Sequence, residues 1–378
     1  MNKLTGNHVA VSELDRQSYI CDLVHFEGPL VSLFKGQHTS WIHLWCDTDG
    51  DRTDRWLVFP VSRKSLVEYL RKEITLLTVF ERAAPVIAVD KKAYIESGDT
   101  TPTVYRNARV VDKGQLAEYL PSEDSFFDES LTQDISLTEQ LAPSVFEVPV
   151  DGHWFMPDIA KFSNSYTRLY AFFYCTGPRF VTNLQDRIRR YMHSPWKGGY
   201  SRVNLFEAMN RQIPAVHEMK VASYQYASPG DIKIEALSSV GDGIKQAVLA
   251  YVAARDSIVE NQKAIDAIIG RAALRKTNLS HASDARLKES ISEESLLALQ
   301  QRMDAIADAL VLRSEFSVLR ESAPNSVVAA KAVLAFMKQI SIVADYQSAG
   351  MLDLNRTVVK GVAGPVLSSL NGTASEGS

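Results

Sequence analysis

The spacing of apolar residues changes period along this chain, and that change limits the folds open to it. Two runs near the N-terminus, "YICDLVHFEGPLVSLFKG" and "SWIHLWCDTDGDRTDRWLVFPVS", are dense in aromatic and β-branched residues. Each is broken at its centre by a turn signal, Gly28-Pro29 and Asp49-Gly50, so they predict two consecutive hairpins in a meander. Far downstream, Ile244, Val248, Tyr251, Arg255, Ile258, Gln262, Ile265 and Ile269 recur alternately four and three residues apart, the spacing of one helical seam. A chain that begins with a strand period and ends with a helix period is α+β. The reading is an N-terminal antiparallel sheet module, a central small α/β module and a C-terminal helical bundle.

The boundaries follow from local signals. Residues 1–113 hold the hairpins, a helix capped by Ser62 or Ser65 with Leu66, Val67, Leu70 and Ile74 on one face, and an added strand at "PVIAVD". Residues 114–143 read as an acidic linker, because no Lys or Arg occurs between Lys113 and Lys161 and "PSEDSFFDESLTQDISLTEQLAP" lacks any apolar period. Residues 144–237 form the central module. There Ile159, Phe162, Tyr166, Leu169, Tyr170 and Phe173 mark a helix stopped by Gly177-Pro178, and a hairpin turns at Ser228-Pro229-Gly230-Asp231. Residues 238–352 supply three long helices, one with a capping box at Ser290 and Glu293. These satisfy one another within the chain, or pair across a homo-oligomer. Residues 353–378 read as a disordered tail.

Composition narrows the function. A formal charge of −4 and an isoelectric point near 6.1 argue against a surface made wholly for polyanions, so any nucleic-acid site is local. Three cysteines, Cys21, Cys46 and Cys175, cannot form a disulfide framework and suit a reducing compartment. The N-terminus has no apolar stretch of signal-peptide length, and no uncharged apolar run reaches membrane-spanning length. The expectation is a cytoplasmic protein without membrane contact.

Motif chemistry is sparse. Cys21, His25, His43 and Cys46 have metal-ligand residue types, but on strands residues three apart point to opposite faces, so packing is the better reading. "DTDGDRTD", Asp47 to Asp54, lacks the sixth-position glycine and twelfth-position glutamate of a calcium loop and reads as a hairpin tip. Asp231, Lys233 and Glu235 alternate on one strand, as in a metal-dependent nuclease, with Asp151 or Asp158 needed as a further acid; alternating charges on an open hairpin face are the commoner cause. Phosphate loops, dinucleotide turns, nucleophile elbows and HExxH helices are absent. No catalytic residue, metal or cofactor is assigned.

The stretch "RRYMHSPWKGGYSR" remains. Arg187, Arg189, Arg190, Lys197 and Arg202, interleaved with Trp196 and Tyr200, form a basic and aromatic patch facing either an acidic protein segment or nucleic acid. The expected function is a non-catalytic binding or regulatory subunit acting through a protein partner. A nucleic-acid-binding sensor and a metal-dependent nuclease are the alternatives.

The run "FEGPLVSLF" followed by "WCDTDGDRTDRWLVFPVS" resembles the N-terminal domain of a family of uncharacterised bacterial proteins, some encoded among phage-defence genes. The likeness covers about residues 18–90. It implies a bacterial source and a defence-associated role, and carries no active-site residues.

Overall fold

A computed structural model describes residues 4–10, 14, 16–25, 29–49, 53–71, 73–92, 105–117, 119–120, 142–177, 184–193, 203–225, 227–274, 279, 287 and 291–360. The chain is α+β, with a large antiparallel sheet first, a small sheet in the middle and helices at the end.

The expected hairpins are β2 (Ser18–His25) with β3 (Pro29–Lys35), and β4 (Ser40–Asp49) with β5 (Thr53–Val61). The added strand is β6 (Val86–Lys92). Two strands that the sequence reading does not contain complete the sheet: β7 (Tyr105–Val111) and β1 (Gly6–His8). The seven strands run in the order β1-β7-β6-β5-β4-β3-β2, each antiparallel to its neighbours. Helix α1 (Arg63–Leu70) starts at Ser62, whose hydroxyl accepts from the Ser65 amide, and buries Leu66, Val67 and Leu70. Thr75 caps α2 (Leu76–Arg82) in the same way, which sets Phe80 against Phe59 with ring centroids 4.4 Å apart.

These helices cover one face of the sheet. Leu33, Ile42, Leu57 and Phe59 on that face belong to a core that continues without a break into the rest of the molecule. The other face carries a separate small core of Trp41, Trp56, Val58, Ile87 and Val89, closed by Leu14.

The central module builds a second antiparallel sheet from β8 (Ser144–Val150), β9 (Lys220–Gln225) and β10 (Gly230–Ala236). Its fourth strand is β11 (Val358–Lys360), giving the order β11-β8-β10-β9. Residues 353–360, read from the sequence as the start of the tail, are therefore structured. Leu352 and Leu354 are buried, and β11 pairs with the otherwise open edge of β8. Residues 361–378 lie outside the described residues, as do 121–141 of the expected linker.

Helix α3 (Met156–Thr176) lies against this sheet and buries Phe162, Tyr166, Leu169, Tyr170 and Phe173 as the spacing predicts. Two short helices follow, α4 (Leu184–Met192) and α5 (Val203–Asn210). The long seam then divides into α6 (Ser238–Ala253) and α7 (Arg255–Arg271) at Ala254, whose φ of −112° and ψ of 23° leave the helical region. Ile244, Val248, Tyr251, Ile258, Ile265 and Ile269 nonetheless stay buried across the break. Helix α8 (Glu293–Leu310) is capped by Ser292 in place of the expected Ser290, and α9 (Arg313–Ser322) and α10 (Ser326–Ser348) complete the helical part. Among the described residues α10 is the one helix long and apolar enough to cross a membrane, yet most of it is buried as the centre of the bundle.

Candidate binding surfaces

The predicted basic patch is only partly among the described residues. Arg189 and Arg190 are exposed in the last turn of α4, and Arg187 lies two residues before Arg189 on the same helix. Trp196, Lys197, Tyr200 and Arg202 lie outside the described residues. Distant segments add further cations. Ile188 and Tyr191 of α4 meet Leu205, Met209 and Gln212, and Gln212 also lines a polar cleft of about 310 Å³ with Arg16, Lys35 and Arg211. Lys35 donates to the Arg211 carbonyl, and Arg211 pairs with Glu207. The corner is positive, but part of its charge already serves internal contacts.

The nuclease constellation is engaged elsewhere. Asp231, Lys233 and Glu235 do share the face of β10 turned away from the core, but Lys233 pairs across the strands with Glu147 at 3.0 Å. Glu235 sits between Arg63 and Arg71 of the first module, at 2.5 and 3.5 Å. Arg63 also donates to the carbonyls of Ala215 and Glu218, and Arg71 to that of Pro143, so this carboxylate anchors a junction between modules. Of the candidate further acids, Asp151 accepts from Ser228 and the Gly152 amide, and Asp158 accepts from the Phe155 amide and Tyr346. Among the described residues no group of three His, Cys, Asp or Glu side chains is placed to hold a metal. Cys21 belongs to the main core and His43 to the opposite face of the sheet, so the cysteine and histidine set does not converge. Burial raises the Cys21 thiol to about 12, with Asp22 adding to the shift, and burial also raises Cys175, as expected for packing cysteines.

A surface that the sequence reading does not contain lies on the small sheet. On the face toward α3, Phe146 and Val148 of β8 stand beside Ile234 and Ile232 of β10, which in turn face Val221 and Tyr224 of β9. Helix α3 covers the first two pairs and stops short of the third. The result is an apolar groove of about 300 Å³ floored by Phe162, Tyr166, Ile232 and Ile234 and rimmed by Val221 and Tyr224, with the hydroxyls of Ser163 and Thr167 along the helix side. All six residues of β9 are exposed, and among the described residues β9 is an edge strand. From Val221 to Gln225 it carries no charge and no proline, the usual means of blocking strand addition, although it has a bulge opposite Lys233 and Ile234. Val221 is 62% exposed, while Phe155 and Met156 at the start of α3 are 69% and 77% exposed.

Comparison of the chain with protein-family models, with curated proteins and with solved structures finds no match.

Proposed function

We propose that this protein is a binding subunit that holds a protein partner on its small sheet. An extended segment of the partner adds along the outer edge of β9, and one of its bulky apolar side chains enters the groove beside α3. The observation that carries this reading is the distribution of exposed apolar surface. Of eight large apolar side chains left exposed among the described residues, six belong to the small sheet or the start of α3: Phe155, Met156, Val221, Tyr224, Val358 and Val359. Soluble surfaces scatter such residues singly, whereas Val221 and Tyr224 stand together at the groove; Val358 and Val359 lie on β11, the opposite edge of the sheet. Strand addition satisfies the outer backbone groups of β9, and the groove supplies selectivity for a side chain.

The test is selection of eight-residue peptides from a displayed library against the folded chain, followed by fluorescence anisotropy on the selected sequences. Binding should persist between about 50 and 200 mM salt and fall at least tenfold in Val221→Asp/Tyr224→Asp. Selected peptides that bind this variant equally well would overturn the reading.

A second reading rests on the positive corner of Arg16, Lys35, Arg189, Arg190 and Arg211, which suits a phosphate backbone. It requires affinity for RNA or DNA that falls steeply over the same salt range and weakens in Arg189→Ala/Arg190→Ala. A defence-associated role, implied by the resemblance of residues 18–90, fits either reading as the duty of a regulatory subunit.

A further inference from the structure

Strand β9 is nearly symmetric about its own centre. Its register against β10 sets Val221 opposite Ile234, Ser223 opposite Lys233 and Tyr224 opposite Ile232, so Ala222 and Ser223 together fill one position. That bulge turns Val221 and Tyr224 to the same groove face, although residues three apart in a regular strand point to opposite faces. Lys220 and Gln225, opposite Glu235 and Asp231, share the other face. Read by position, the strand is polar, apolar, small, apolar, polar from either end.

Such a pattern matches a second copy of itself. A two-fold axis through the bulge, perpendicular to the sheet, sets two β9 strands antiparallel with Val221 of each opposite Tyr224 of the other and Lys220 opposite Gln225. Every position is used, and like faces stay together. Without the bulge this register would set a groove-facing residue against an outward one, because antiparallel partners must point to the same side. An irregularity that on most edges deters strand addition here permits it.

Charge favours the same register. On the outward face Lys233 pairs with Glu147, and Glu235 pairs with Arg63 and Arg71. Asp231 and the exposed Lys220 make no ion pair among the described residues. Across the two-fold, Lys220 of one copy lies beside Gln225 and thus two strand spacings, about 10 Å between Cα atoms, from Asp231 of the other. A lysine and an aspartate together span that gap, and the symmetry makes the contact twice. The other surface expected to pair copies, the seam of α6 and α7, is already buried within the chain.

We propose that the partner held on β9 is a second copy of this chain, in a two-fold dimer whose two small sheets join into one of eight strands. This rests on the reading of β9 as an edge that accepts a strand. Val221, 62% exposed in the single chain, is covered by Tyr224 of the other copy, and the two grooves merge across the axis. The paired segment is short, so the dimer belongs among the smaller, weaker interfaces.

Sedimentation equilibrium of the full chain from about 1 to 100 µM tests this, with the mass rising from 42.0 kDa toward twice that value. Lys220→Asp brings carboxylates together at both contacts and Asp231→Lys brings ammonium groups together, so each should weaken association at least tenfold. The exchange Lys220→Asp/Asp231→Lys restores opposite charges and should return the constant to within about threefold of the wild type. A chain that stays at 42.0 kDa throughout overturns the dimer, as does association indifferent to the reversals or not rescued by the exchange. Should a reversal fail to fold by circular dichroism, Val221→Asp/Tyr224→Asp decides: it must leave a monomer, and a persisting dimer refutes the proposal. Selected peptides that bind β9 of a strictly monomeric chain refute the dimer alone and leave the proposed function standing. A dimer that survives in Val221→Asp/Tyr224→Asp, with peptide binding equally unaffected, removes both.

Discussion

Gly241 offers a sharp test of how the small sheet meets the helices. It lies in the first turn of α6 and packs directly on β8. A Cβ built there would stand 2.3 Å from Cζ of Phe146, 2.7 Å from Cε1 and 2.8 Å from Cε2. Ordinary contacts begin near 3.4 Å, so the ring must retreat by more than 1 Å. Phe146 is itself buried in the continuous core and has nowhere open to go. Propensity alone favours Gly241→Ala by about 1 kcal/mol within a helix. Overpacking of a close-packed core costs typically 1 to 3 kcal/mol, and a clash this deep belongs at the upper end, so a net loss of about 2 kcal/mol is expected. Urea denaturation followed by circular dichroism measures it, with an unchanged m-value required for the comparison. The same substitution placed in a Phe146→Leu background should cost less than about 0.5 kcal/mol, because the shorter side chain frees the space; the coupling between the two sites is the decisive quantity. A Gly241→Ala protein as stable as the wild type, or more so, would mean that α6 does not seat on β8 and that the core is not continuous there.

Three further outcomes follow from the same contacts. Unfolded Lys91 holds its proton up to about 10.5 and the native residue only to about 7, so wild-type stability should rise by about 2 kcal/mol from pH 7 to 9, and that rise should vanish in Lys91→Met, as read from denaturation midpoints at the two pH values. Glu235→Gln leaves Arg63 and Arg71 facing each other without a carboxylate and should cost about 1 to 2 kcal/mol, with faster limited proteolysis between the sheet module and the central module; unchanged cleavage would count against the junction. Alkylation of the native protein at pH 8 should spare Cys21 and Cys175, whose thiols burial holds in the neutral form, and modify Cys46 first, as peptide mass mapping would reveal.

The sequence by itself determined the elements whose cause is local. Turn residues at Gly28-Pro29 and Asp49-Gly50 fix two hairpins because they interrupt β-branched runs, and Ser62 fixes the start of α1 because its hydroxyl reaches an amide three residues on. The apolar spacing of α3 and of the α6 and α7 seam likewise states which side is buried. What depends on partners far away in the chain was not legible. Strand β7, "YRNARVV", is too polar to announce itself and takes its conformation from pairing with β6 and β1. The alternation of Asp231, Lys233 and Glu235 is visible along the strand, but Glu147, Arg63 and Arg71, which occupy those charges, come from two other segments. Lys91 directly follows "PVIAVD", and nothing in that run announces its burial, which comes from Asp54, Trp56, Phe34 and His43 on other strands. The groove has the same origin: Val221 and Tyr224 are ordinary strand residues, left uncovered because α3 ends its coverage one strand short of the edge. Local free energy is set by neighbours within a few residues, whereas burial and charge pairing belong to whichever segments the topology brings together.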